Sequence, residues 1–282
     1  MQIGEFRLTT ISGGRFLIDG GTMFGVVPKL LWSRVFPADE ANNIKQATNC
    51  VLVQTDDRNV LIDTGYGSKL SDKQRRIFQS ETGDPLIESL NAQGLAAEEI
   101  DTVIFSHLHF DHAGGATKRT PEGGLTPTFP NADYVAQRHE WVTATADFPE
   151  LRGAYPQDNL LPLHESGRLR LIDGNVEILP GIRAVITGGH TKAHAALVIE
   201  SGGDAAVYLG DLCPTTRHLP TLWGMGYDVD MLELRRRKPE ILGQIADNGW
   251  WALFDHDPDH AVAGLSRDAR RDFAIRDARA EL

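Results

Sequence analysis

Ten short apolar runs constrain this chain more than any other feature; they lie at 49–55, 59–65, 101–106, 132–137, 169–173, 176–180, 182–187, 195–201, 205–211 and 250–257. Most are rich in Val, Ile, Leu and aromatics and are closed by Gly, Asp, Asn or Pro, which is the signature of strands. Helical patterns lie between and after them. Ser71 can cap a helix opening on SDKQRRIF, and 85–95 has apolar residues near helical spacing before a Gly. The longest candidate, 229–246, carries Leu232, Leu234, Ile241, Leu242 and Ile245 on one face, and Pro239 should kink or divide it. The tail 266–280 reads as a charged surface helix, and the Gly-, Pro- and Thr-dense stretch 114–131 as a long loop forming a wall or lid of a site. The two β-rich halves, 1–135 and 165–260, predict an α/β fold of two sheets packed face to face with helices outside. No linker separates them, so 1–282 is expected to be a single domain.

Composition narrows the chemistry. With 28 Lys and Arg against 39 Asp and Glu, the formal net charge of -11 repels phosphate backbones, and there is no basic patch with interleaved aromatics, so nucleic acid is not an expected partner. No run approaches the roughly 18 consecutive apolar residues of a membrane span, and MQIGEFRLTT places Glu5 and Arg7 where a signal peptide needs an apolar stretch. A cytoplasmic protein without membrane partners is expected. Two cysteines, Cys50 and Cys213, against ten histidines rule out a thiolate metal cluster and leave imidazole as the plentiful ligand. The basic residues 235–237 are balanced by Glu233 and Glu240 and read as a solvated helix face.

Residues 101–115 read DTVIFSHLHFDHAGG. At the end of an extended segment, side chains two apart point the same way, so His107 and His109 can converge on one ion. Asp111 and His112 would diverge on a strand, but in a turn entering a helix they can swing toward a second ion. Gly114 and Gly115 let the backbone fold closely around the loop. One loop cannot close such a site, so further donors are required at the ends of later strands. His190 follows IRAVITGG, Asp211 ends AAVYLGD, and His256 lies in WWALFDHD. Nitrogen and oxygen donors of this kind suit zinc, with manganese, iron or cobalt as alternative occupants. His139, His164 and His260 lie outside any convergent pattern, and Cys213 reads as a buried structural thiol.

From LIDTG at 61–65 through His256, the motif order resembles the metallo-β-lactamase-fold hydrolases, whose αββα sandwich of two mixed sheets carries a one- or two-metal site. The resemblance implies His107, His109 and His190 as ligands of one zinc, Asp111, His112 and His256 as ligands of a second, and Asp211 as the carboxylate shared by both. Asp63 and His194 resemble residues that support the ligands rather than bind metal; Ala193 stands where the H-T-x-G-H stretch has Gly. The implied reaction is attack by a metal-bridging hydroxide on a carbonyl or phosphoryl centre, with Asp111 as the catalytic proton carrier. The stretches GGTMFGVVPKLLW, GDLCPTTRHLPTLWGMGYD and FDHDP look most like the quorum-quenching N-acyl homoserine lactonase group, which implies a small lactone or ester as substrate. Where that group has a substrate-contacting Tyr three residues after the shared Asp, this chain has Pro214. Tyr227 or His218 is therefore the expected oxyanion helper. Met23, Phe24, Leu222, Trp223 and Met225 are candidates to line an acyl cleft, with core packing or a homodimer contact as their competing role. Organophosphate or aryl-ester hydrolysis on the same centre, and a metal-binding module without catalysis, are the alternative functions.

Overall fold

In the computed structural model, which describes residues 1–146 and 148–282, the strands form two seven-stranded mixed sheets and a small two-stranded ribbon. The first sheet contains β1 (Gln2–Ile3), β2 (Phe6–Asp19), β3 (Asn43–Gln54), β4 (Asn59–Ile62) and β5 (Thr102–Ile104). The ribbon, β6 (Thr117–Arg119) and β7 (Leu125–Pro127), precedes its last two strands, β8 (Asp133–Gln137) and β9 (Leu169–Ile172). Strands β4, β5, β8 and β9 run parallel to their neighbours in that order, whereas β3 and β4 are antiparallel. The second sheet follows chain order: β10 (Val176–Leu179), β11 (Ile182–Ile186), β12 (Ala195–Ser201), β13 (Asp204–Tyr208), β14 (Trp251–Leu253), β15 (Val262–Asp268) and β16 (Asp272–Arg279). Its one parallel pair is β13–β14. All ten runs predicted as strands fall on β3 to β5 and β8 to β14.

The helices are α1 (Gly20–Phe24), α2 (Lys29–Trp32), α3 (Asp72–Phe78), α4 (Pro85–Ala92), α5 (Phe110–Ala113), α6 (Arg138–Ala144), α7 (Gln157–Glu165) and α8 (Met231–Asn248). Ser71 caps α3 as a capping box with Gln74, and Asp84 caps α4. Among the described residues, no helix is long and apolar enough to cross a membrane.

The chain forms two interleaved compact units, Met1–Arg15 with Thr48–Gly174 and Phe16–Ala47 with Asn175–Leu282. In the first, Leu52, Leu61, Val103 and Tyr134 on the strands pack with Leu86 and Leu90 of α4 and Leu160 and Leu163 of α7. Every residue of β5 is buried, as expected for a central parallel strand covered on both faces. In the second unit, Ala196, Val198, Val207 and Leu265 pack with Leu234, Ile241, Leu242 and Ile245 of α8. The segment 16–47, placed by sequence with the first half, belongs to this unit because Met23, Phe24, Trp32, Phe36 and Ile44 form an apolar cluster with Met225.

Three local expectations are corrected. The helix α8 runs through Pro239 without division. A proline inside a helix costs about 3 kcal/mol, and burying each of Leu234, Ile241, Leu242 and Ile245 contributes about 1.5–3 kcal/mol, so the buried face prevails. The tail is not a helix but the hairpin β15–β16, registered from Val262 opposite Arg279 to Asp268 opposite Asp272. Its Ala and Arg content favours helix, yet pairing and burial of Leu265 and Phe273 override that preference. Residues 114–131 contain the β6–β7 ribbon rather than one open loop.

Candidate metal-binding clusters

In the first unit, the chain leaves β5 through Phe105 and Ser106 and presents His107 and His109 before the single turn of α5, which carries Asp111 and His112. His107 Nε2 and His109 Nδ1 lie 3.0 Å apart, so the two rings converge as the alternation predicted. The Asp111 carboxylate lies 4.0 Å from His112 Nε2. Asp63, just past β4 at φ +56°, holds this loop. Its Oδ1 accepts from Ser106 N at 2.8 Å, and its Oδ2 accepts from Ser106 Oγ at 2.6 Å and pairs with His112 Nδ1 at 2.8 Å. Gly114 and Gly115 are required by close approach: a Cβ on Gly115 would sit 2.1 Å from the Thr64 carbonyl oxygen, and one on Gly114 2.4 Å from that of Tyr66. Lys69 donates to the carbonyls of Gly114 and Thr117, and burial brings its pKa down to about 8. Sequence reasoning missed Glu140 and Tyr155. Glu140 Oε1 accepts from Leu108 N and from the Tyr155 hydroxyl, and the Tyr155 ring packs 4.8 Å from that of His109.

In the second unit, β11 is followed by Thr187, then Gly188 and Gly189, both at positive φ, and then His190. Asp211 follows β13, and His256 follows β14. Asp211 faces two imidazoles with different oxygens: Oδ2 is 2.9 Å from His190 Nε2, and Oδ1 is 3.3 Å from His256 Nε2. The far nitrogens are fixed, His190 Nδ1 by Asp228 Oδ1 at 2.8 Å and His256 Nδ1 by the Ala47 carbonyl at 2.7 Å. Ligand histidines typically make such contacts through the nitrogen that does not bind metal. His194 stands behind Asp211: its Nε2 accepts from Asp211 N at 3.0 Å, while Nδ1 pairs with Thr187 Oγ1 at 2.6 Å. Burial would lower the His190 pKa, but Asp211 and Asp228 outweigh it and push the value up to about 10. For Asp211 burial acts upward, and His190 and His256 hold the carboxyl well below its usual range.

These donors fit a divalent cation. Tetrahedral coordination at about 2.0–2.1 Å places ligand atoms roughly 3.3–3.4 Å apart, close to the 3.0, 2.9 and 3.3 Å separations within the clusters. Two acidic residues beside these histidines escaped sequence reasoning because neither has motif spacing: Asp228, 38 residues after His190, which fixes its Nδ1, and Asp255, whose Oδ2 lies 3.3 Å from His256 Nε2.

The predicted substrate contacts separate. His218 is fully buried, with Nδ1 on Thr215 Oγ1, Nε2 on the Met23 carbonyl and its ring stacked on Phe24 at 4.6 Å; burial brings its pKa down to about 3. Met23, Phe24 and Met225 lie in the same core cluster. Their closed surroundings give His218, Met23 and Phe24 a packing role in place of substrate contact. Trp223 is only partly buried, and Leu222 is exposed. Tyr227 is half-exposed, with its ring edge-on to His190 at 6.4 Å and its hydroxyl donating to Met23 Sδ at 3.5 Å. The 214–223 segment is anchored by Arg217 on Asp257 and Asp259, and by Lys238, which donates to the carbonyls of His218, Pro220 and Trp223. Cys50 and Cys213 are buried thiols, and burial pushes the latter up to about 12, against a thiolate ligand.

Two mixed sheets with helices, bearing His and Asp clusters just beyond their strands, define a metal-binding α/β class. The metallo-β-lactamase superfamily profile matches residues 44–278, and the chain belongs to that superfamily. It is 28% identical over 170 residues to an N-acyl homoserine lactonase of Bacillus cereus, covering 57% of this chain and 61% of that one. The match therefore spans less than two thirds of the curated lactonase. A probable metallo-hydrolase of Mycobacterium bovis is 27% identical over 183 residues, covering 57% of this chain and 55% of that one. Among solved structures, a probable metal-dependent hydrolase from Staphylococcus aureus superposes with TM-score 0.91 at 35% identity, covering 99% of this chain and 98% of that one. The dizinc quorum-quenching lactonase AidC, in complex with the product N-hexanoyl-L-homoserine, shares the fold at TM-score 0.80 and 24% identity, covering 98% and 95%.

Proposed function

We propose that this protein is a metal-dependent hydrolase that opens a lactone or ester, with N-acyl homoserine lactones as its substrate class. The observation that carries the metal reading is Asp211, each of whose oxygens stands beside the Nε2 of a different histidine. A carboxylate so placed is suited to serve two ions. In this reading His107, His109 and His190 hold one ion, Asp111, His112 and His256 hold the other, and Asp211 is shared. The nitrogen-rich donor set favours zinc.

When bound, the ions supply a water nucleophile available near neutral pH and Lewis-acid polarisation of the substrate carbonyl. The chain's own residues do the rest. Asp63 and Asp228 fix the imidazoles of His112 and His190, so that their ligand nitrogens need no reorganisation on loading. Asp111 carries the proton from the attacking water to the leaving alkoxide of the lactone. Tyr227 donates to a thioether sulfur, a weak acceptor, and can turn its hydroxyl to the substrate carbonyl oxygen, the task of the Tyr that Pro214 replaces. Trp223 offers an apolar face to the acyl chain.

The lactonase assignment is supported by the curated relatives named N-acyl homoserine lactonase. It is tested by assaying the purified protein on an N-acyl homoserine lactone, an aryl phosphotriester and nitrocefin, with and without chelator. Fastest turnover of the lactone, abolished by chelator, is expected. Preference for the phosphotriester would move the assignment to organophosphate hydrolysis, and inactivity on all three at full metal occupancy would overturn the enzymatic reading.

A further inference from the structure

The acidic residue next to His256 has no role in the ligand set above, yet it sits among the donors. Asp255 follows β14 and the buried Phe254, and its side chain is 1% exposed. Its Oδ2 lies 3.3 Å from His256 Nε2, the same separation that His256 Nε2 keeps from Asp211 Oδ1. One donor atom from each of Asp211, Asp255 and His256 lies within 4.8 Å of the other two. The nature of these atoms is decided at the far side of the imidazole. The Ala47 carbonyl, 2.7 Å from Nδ1, can only accept, so Nδ1 carries a hydrogen and Nε2, which faces both carboxylates, is the ring nitrogen left to bind a cation. Three electron-pair donors thus converge with coordination-like edges. Taking two carboxylates out of water is costly without positive charge, and a cation among these donors supplies it.

Asp257, two residues on, shows what a structural carboxylate looks like in the same loop. Its Oδ2 accepts from Thr216 N and Thr216 Oγ1, and Arg217 reaches both of its oxygens. Asp255 directs Oδ2 to the Nε2 of His256.

We propose that Asp255 is an additional metal ligand on the His256 side, which makes that ion's environment richer in carboxylate oxygen than the family pattern of the sequence implies. The inference rests on the metal-dependent reading of the protein. It carries a consequence for ion selectivity: oxygen donors suit harder ions, so the ion beside His256 should discriminate less against Mn²⁺ than the ion held by three histidines and the shared Asp211.

The test compares the full-length protein with Asp255→Asn, which keeps the size of the side chain, and Asp255→Ala. Each is stripped of metal and dialysed against graded Zn²⁺ or Mn²⁺; bound metal is counted by mass spectrometry, and thermal unfolding is followed with and without metal. Two ions per wild-type chain are expected. Both variants should keep the first ion at wild-type affinity and bind the second at least ~10-fold more weakly, with the larger loss for Mn²⁺. Without metal, both should unfold at or above the wild-type temperature, because one of two buried carboxylates crowded on the same imidazole nitrogen has been removed, while the metal-induced rise should shrink. Two ions bound by both variants at wild-type affinity would overturn the assignment. Metal-free variants that are destabilised or unfolded would also overturn it, in favour of a structural role. Wild-type protein that binds fewer than two ions would bring down the metal-pair reading itself, and this inference with it.

Discussion

Replacing Asp63 with Asn isolates one carboxylate that orients one imidazole. Asp63 receives three hydrogen bonds, from Ser106 N, Ser106 Oγ and His112 Nδ1, at 2.6–2.8 Å. In the Asn variant, Oδ1 can still accept from Ser106 N, and the Ser106 hydroxyl can rotate to accept from the new amide. The His112 bond cannot be recovered, because two N–H groups then face each other. A hydrogen bond to a charged group contributes about 1.5–3 kcal/mol, so a loss of that size is expected in urea unfolding. Metal affinity through His112 should fall by roughly 10- to 100-fold. The backbone at φ +56° is one that Asn tolerates, so the effect is electrostatic; Asp63→Ala should cost about a further 1–2 kcal/mol from that conformation. Urea unfolding of the metal-free protein and metal titration followed by mass spectrometry provide the two readouts. An Asp63→Asn protein with unchanged unfolding midpoint and unchanged metal affinity would refute the role given to Asp63.

Three further outcomes are expected. Changing His256 to Ala should reduce second-ion occupancy and turnover together, measured by metal analysis beside lactone hydrolysis; two ions with full turnover would contradict the ligand assignment. Gly115→Ala places a Cβ 2.1 Å from the Thr64 carbonyl oxygen and should destabilise by about 1–3 kcal/mol or more in urea, whereas Gly153→Ala, with nothing within 4 Å, should stay within about 0.5 kcal/mol. His218 is held neutral in the fold, its pKa depressed from 6.5 to about 3. The unfolded chain therefore takes up that proton first: this contribution to stability is fully present above about pH 6.5 and is lost as the pH falls toward 3, by about 4–5 kcal/mol in all. Unfolding midpoints across that range should fall less steeply in His218→Gln than in the wild type.

Local sequence patterns revealed most strands and the first metal-type loop because both are local. The strand β5 and the turn of α5 follow one another within a few residues, so His107, His109, Asp111 and His112 could be read from spacing alone. The supports of these groups were less visible. Asp63 and His194 were reachable only through a family pattern, and Asp228 and Asp255 had no local signal because their partners are set by the fold or share no motif. The strand β2 was not among the predicted runs; it contains Gly13, where a Cβ would meet Thr48 Oγ1 at 2.6 Å and Gly65 Cα at 2.7 Å. The charged hairpin β15–β16 was missed because its Arg, Asp and Ala content resembles a surface helix, while an edge strand uses the same charges to discourage further pairing. His218 was misplaced because a histidine in a loop after a ligand looks exposed until the packing of Phe24 and the Met23 carbonyl is known.

The central claim is that this chain hydrolyses lactones with two bound ions, and activity titrated against bound metal tests it most directly. Metal-free protein should be inactive on an N-acyl homoserine lactone, and turnover should rise with added Zn²⁺ until it saturates at two ions per chain. Full activity at one ion, activity that persists without metal, or no lactone turnover at two ions per chain would contradict it.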